Sequence, residues 1–111
     1  MPQRSPRISD LDHRLVLEYA RRTPDGSGGF TTTWHALAEV WADITARGGD
    51  EALRDGGIKG ARRSDIVVRA RPEIIPTRRF RAGGRIYEIH AVQPHDAERR
   101  YLLCRCDERN L

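Results

Sequence analysis

Two cysteines, four histidines and a cluster of glycines are the residues that could carry chemistry in this chain, and their spacing argues against each reaction they might perform. Cys104 and Cys106 stand two apart, so a strand would send both thiols to one face. That placement suits two small buried hydrophobes better than a disulfide. A Cys-X-Cys pair cannot by itself close a four-ligand zinc shell, and His13, His35, His90 and His95 are scattered without metal-site spacing. Gly26, Gly28 and Gly29 lie in RRTPDGSGG, which no helix follows, so no phosphate-cradling loop is signalled. Ser5, Ser9, Ser27 and Ser64 have no base-and-orienter pattern around them. The expectation is a protein that is not an enzyme and holds no metal and no cofactor.

Charge is the next source of chemistry. Twenty basic residues oppose sixteen acids, a net charge of +4, and every basic residue except Lys59 is arginine. Arginine stays charged and matches carboxylate and phosphate bidentately. With the acids interspersed, the balance fits a chain that meets an anionic polymer without gripping it or reading its sequence. No run approaches the roughly 20 apolar residues of a membrane span, so no membrane partner is expected. The opening MPQRSPRISD lacks an apolar run, and no signal peptide is expected.

The elements that must position these groups are short and alternating. At 111 residues the chain suits one modest core. Residues 1–10 read as a flexible arm and residues 11–111 as a single domain. HRLVLEYA (13–20) alternates as a half-buried strand. Residues 21–29 read as a pliable loop containing the turn Pro24-Asp25-Gly26. FTTTW (30–34) and AEVWADITA (38–46) read as two strands, with His35-Ala36-Leu37 ambiguous between them. Residues 47–63 hold five glycines and read as a short helix, capped by Asp50, inside a long basic loop. SDIVVRAR (64–71), TRRFRA (77–82), RIYEIHAVQ (85–93) and RRYLLCRC (99–106) complete the set, with Gly83-Gly84 marking a tight hairpin.

The fold class expected is therefore mainly β: a small antiparallel β-barrel of about six strands, with one long loop or short helix inserted mid-chain. Alternation and side-chain size predict a core of Leu15, Leu17, Trp34, Val40, Trp41, Ile44, Ile66, Val68, Phe80, Ile86, Ile89, Leu102 and Cys104.

The order and spacing of these segments resemble the phage head–tail adaptor family, also called head-closure or stopper proteins. ISDLDHRLVLEY is similar to the family's first strand. TPDGSGGFTTTWHALAEVWADI resembles its turn followed by a tryptophan and a VWA strand. Arg47-Gly48-Gly49-Asp50-Glu51 falls where relatives often carry a short glycine-and-glutamate motif. IVVRARPEIIPTRRF and GGRIYEIHAVQPHDAERRYLLCRC resemble its closing strands. The resemblance runs from Ile8 to about Glu108. The departures are the glycine-rich middle loop and the arginine-rich turns.

What the resemblance implies is a structural virion protein made in the host cytoplasm and located at the head–tail interface of a phage or phage-like particle. Copies would close into a ring, sixfold or twelvefold, between the portal-side adaptor protein and the tail terminator or tail tube protein. The ring would help retain packaged DNA, dock the tail and let double-stranded DNA pass without sequence specificity. The 47–63 loop, with Arg47, Arg54, Lys59, Arg62 and Arg63, becomes the candidate channel or gating loop, subunit contact being the other role open to it. Pro24, Asp25, Gly26 and Gly29 become the candidate partner-facing loop. Two other readings compete. One is a free-standing OB-like nucleic-acid-binding barrel stacking bases on Trp34, Trp41, Phe80 or Tyr87. The other is a tail-terminator-type connector subunit.

Overall fold

The computed structural model describes residues 11–47 and 62–110. They form six strands: β1 (His13–Pro24), β2 (Phe30–Ala46), β3 (Arg62–Arg69), β4 (Arg79–Ala82), β5 (Arg85–Pro94) and β6 (Tyr101–Asn110). All neighbours pair antiparallel in the order β1-β2-β3-β6-β5-β4, and β4 returns to β1 to close a barrel. The expected arm, the middle-loop helix at Asp50, and Arg54 and Lys59 lie outside the described residues. There is no helix among the described residues.

The structure departs from expectation first at the β1–β2 hairpin. Residues 21–24 are strand, and the two short strands expected between 30 and 46 are one strand of 17 residues. The β-branched run Thr31-Thr32-Thr33 favours extension, and the ladder to β1 runs on to Pro24 opposite Phe30. The ambiguous His35-Ala36-Leu37 is a β-bulge: Ala38 faces Leu17 and Ala36 faces Glu18, leaving Leu37 without an opposite residue. A second bulge in β5 leaves His90 unmatched between Ile89, opposite Cys106, and Ala91, opposite Arg105. At the β4–β5 turn, Ala82 pairs with Arg85, and Gly83 takes a φ of +61° that a side chain would resist. Between β5 and β6, Asp96 is buried and its Oδ1 accepts the backbone N–H groups of Arg100 (2.9 Å) and Tyr101 (3.0 Å).

The barrel interior is filled by Leu15, Leu17, Val40, Ala42, Ile66, Val68, Phe80, Tyr87, Ile89, Cys104 and Cys106, with Ile74 from the β3–β4 link. Ile44 and Leu102 are half-buried against this cluster, and Ile86 is fully buried but belongs to neither apolar cluster. Both tryptophans depart from the expected core. Trp41 is 55% exposed, because alternation with inward Val40 and Ala42 turns it outward. Trp34 is half-buried on the outer surface. Without a bulge it would share a face with Val40, but the extra residue at Leu37 inverts the phase. A smaller outer cluster joins Val67, Tyr101 and Leu103, with Leu11 packed against it.

Candidate functional site

The expected channel loop begins and ends in a paired stem. Arg47 directly follows β2, and its backbone N–H donates to the Arg63 carbonyl at 2.7 Å. Its guanidinium forks onto Asp65 Oδ2, at 2.9 Å from Nε and 2.5 Å from Nη2. Arg62 and Arg63 belong to β3 rather than to a loop, in register with Glu108 and Asp107 of β6. The strand ladder therefore extends two residues further than the sequence suggested, because β6 continues to Asn110 and offers partners.

On the outer face of this stem lies a groove of about 580 Å³ whose charged lining is Arg47, Arg63, Asp65, His90, Arg105 and Asp107. His90 reaches Asp107 with Nε2 2.7 Å from Oδ2. The bulge at His90 is what aims the imidazole there. Leaving His90 out of the count, three arginines oppose two aspartates, a local balance of +1. Such a surface can make weak, exchangeable phosphate contacts and is too evenly paired to clamp DNA. Sequence reasoning missed Asp65, His90, Arg105 and Asp107. Strand alternation already turned Arg105 away from Cys104 and Cys106, whereas nothing local signalled the bulge.

The partner-facing candidates sit at the other end of β2. Seventeen residues at about 3.3 Å each separate the two ends by roughly 50 Å. The expected pliable loop is instead a tied turn. Asp25 Oδ1 accepts the N–H groups of Ser27 (2.8 Å) and Gly29 (3.1 Å), and the Asp25 N–H donates to the Gly29 carbonyl at 3.1 Å. Gly26 and Gly28 hold φ values of +84° and +87°. At Gly29 a Cβ would stand 2.9 Å from Asp25 Oδ2. Pro24, Asp25, Gly26 and Gly29 therefore present a shaped, hydrogen-bonded tip.

A third charged constellation was not legible in the sequence. Glu18 is 4% exposed on the outer side of β1, and its Oε1 accepts from Arg79 Nε at 2.8 Å. Arg81 Nε lies 2.9 Å from Oε2 but out of line for a hydrogen bond, so it contributes charge rather than a bond. The Arg79 guanidinium lies 4.0 Å from the centre of the Trp34 ring. This stack lies on the seam where β4 closes the barrel and links β4 to both β1 and β2.

The cysteines belong to the barrel interior, Cys106 also backing the stem groove. Both are free and buried. Burial pushes the Cys104 thiol from an ordinary 9.0 up to about 12. Burial, and then neighbouring Cys104, Asp107 and Asp65, push Cys106 up as well. The fold thus favours the neutral thiols, and the stability this confers is whole below about pH 9, where the unfolded thiols are also protonated. Above that pH the unfolded chain releases protons that the native state keeps. Stability is then lost progressively as pH rises through about 12, at up to about 1.4 kcal/mol per pH unit for each thiol. Urea melts between pH 8 and 11 should show the decline, and Cys104→Ala/Cys106→Ala should have a shallower slope. Equal slopes would refute it. No group of three or more potential metal ligands occurs among the described residues.

Residues 6–109 match the family model described as phage head completion protein. The chain is similar to one in the virion of a native gene transfer agent particle, at 38% identity over 95% of this chain and 97% of that one, with a TM-score of 0.68. It is also similar to a Shigella flexneri 2a protein solved in solution, at 27% identity over 93% and 95% of the two chains, with a TM-score of 0.64. No curated protein matches it significantly.

Proposed function

The chain belongs to the phage head completion protein family, and from that premise we propose that it is a head-closure subunit of a phage or phage-like particle, acting through structure and not through catalysis. Copies form a closed ring, sixfold or twelvefold, between a portal-side adaptor and a tail terminator or tail tube protein. The ring helps retain packaged DNA, docks the tail and passes the duplex during ejection.

The observation that carries this reading is the family match over almost the whole barrel, strengthened by 38% identity to a chain of a gene transfer agent virion. The architecture is compatible. Two structured contact regions roughly 50 Å apart on one strand suit a subunit that touches different components at its two ends. The near-balanced charge of the stem groove suits a duplex that must slide past. The portal-proximal or channel-facing end is proposed to be the one carrying Arg47, Arg62 and Arg63, from which the chain leads to Arg54 and Lys59.

The nucleic-acid-binding alternative loses its platforms. Phe80 and Tyr87 are enclosed at 0% and 3% exposure, and Trp34 is half-buried against Arg79. Among its four stacking candidates only Trp41 stands open. The head-closure role is tested by particles assembled without this protein. They should be filled heads that leak DNA and carry no tails, as seen by electron microscopy and nuclease sensitivity. Normal tailed particles in its absence would overturn the reading.

A further inference from the structure

The β1–β2 hairpin extends past the barrel as a two-stranded ribbon. β4 pairs only with Val16–Glu18 of β1, and β3 only with Ala42–Ala46 of β2. Beyond these points each strand has one edge that no described strand covers. Residues 20–28 and 30–33 are exposed, so both faces of the ribbon are open as well. Two strands alone in water are marginal, and an open edge is a template for another strand.

The two edges are unlike. On β2, the nine residues Phe30–Ala38 carry no acid, lysine or arginine, and include Thr31-Thr32-Thr33. A chain with 32% charged residues could guard this edge and does not. On β1, Arg21, Arg22 and Pro24 guard the edge against its own kind, since β1 against β1 would bring arginines together. The Phe30–Ala38 stretch, without Lys or Arg, against arginine-bearing β1 sets no arginines opposite one another.

We propose that the free β2 edge of one copy, Phe30–Ala38, adds antiparallel to the free β1 edge of a second copy, and that this strand addition is the contact that closes the ring. The inference rests on the ring reading above. Each ribbon offers one edge of each kind, so the contact is heterologous and continues from copy to copy until it closes. It also repeats a contact found within the chain. Arg22 stacks over Phe30 at 4.5 Å, and Phe30 keeps 57% of its surface exposed beside the edge where the next copy's Arg22 would arrive.

The test uses the full chain in solution, with mass measured across concentration and amide exchange followed by mass spectrometry. Wild type should form a closed oligomer larger than a dimer. On assembly the amides of residues 30–38 should slow by ~10-fold or more. Thr31→Lys/Leu37→Lys places charges at two exposed positions opposite no charged residue of β1. It should remain monomeric at concentrations where wild type assembles, with an unchanged circular dichroism spectrum. A closed oligomer whose 30–38 amides exchange as in the monomer would overturn the edge contact while leaving the ring standing. A twofold dimer, a wild type monomeric at every concentration, or a folded double variant that assembles normally would also overturn it. None of these outcomes bears on whether particles lacking the protein lose their tails, so the two proposals fail separately.

Discussion

Glu18→Ala should lower unfolding stability by about 3–5 kcal/mol, because it strands a buried guanidinium. The carboxylate is 5% exposed and the Arg79 side chain 10%, joined at 2.8 Å. In the variant, Arg79 stays stacked on Trp34 but loses the carboxylate that its Nε donates to. Arg81 adds little to the figure, since its side chain is 42% exposed and water screens it. Glu18→Gln keeps shape and one acceptor and should cost less. Glu18→Leu/Arg79→Met removes both charges and should recover much of the loss, as well-packed apolar replacements of buried pairs do. Chemical denaturation of the four proteins gives the answer. A Glu18→Ala loss below about 1 kcal/mol would mean that the pair is solvated and contributes as a surface pair does.

Phe80→Ala should be comparably severe, at about 3–5 kcal/mol, through the opposite face of the same seam. Phe80 is fully buried in β4, a strand of four residues, and lies opposite Leu17 on one side and Tyr87 on the other. Removing the ring leaves a cavity between the first and fifth strands, and three residue pairs alone must then hold β4 to β1. A domain of this size commands roughly 5–15 kcal/mol in all, so the loss is a large fraction of it. Hydrogen exchange should accelerate first at Val16–Glu18. Glu18 and Phe80 brace one pair of strands from its two faces, so their double substitution should cost less than the sum. Additive losses, or an exchange pattern unchanged at the seam, would show that closure does not depend on this packing.

The candidate site was legible where it depended on local chemistry. Pro24-Asp25-Gly26 and Gly83-Gly84 announce turns because φ preferences belong to the residues themselves. Arg47, Arg62 and Arg63 were visible as a basic group, but their place in a strand stem was not, since it depends on β6 supplying Asp107 and Glu108 some 45 residues on. The outward Arg105 followed from alternation, whereas His90 could be placed only once its bulge was seen.

The same division runs through the fold. The period of two in HRLVLEYA, SDIVVRAR and RRYLLCRC was enough to call a mainly β barrel and to set Leu15 with Leu17 and Ile66 with Val68, because successive side chains must point to opposite faces of any strand. Sequence could not supply phase across an interruption. One extra residue at Leu37 turned Trp34 from the interior to the surface, and alternation had already turned Trp41 outward despite its size. Nor could it reveal closure, which joins Glu18 to Arg79 across 61 residues. Pleating is a property of each strand alone. Register, bulges and the closing seam are decided by contacts between segments distant in the chain, and exist only once the sheet has formed.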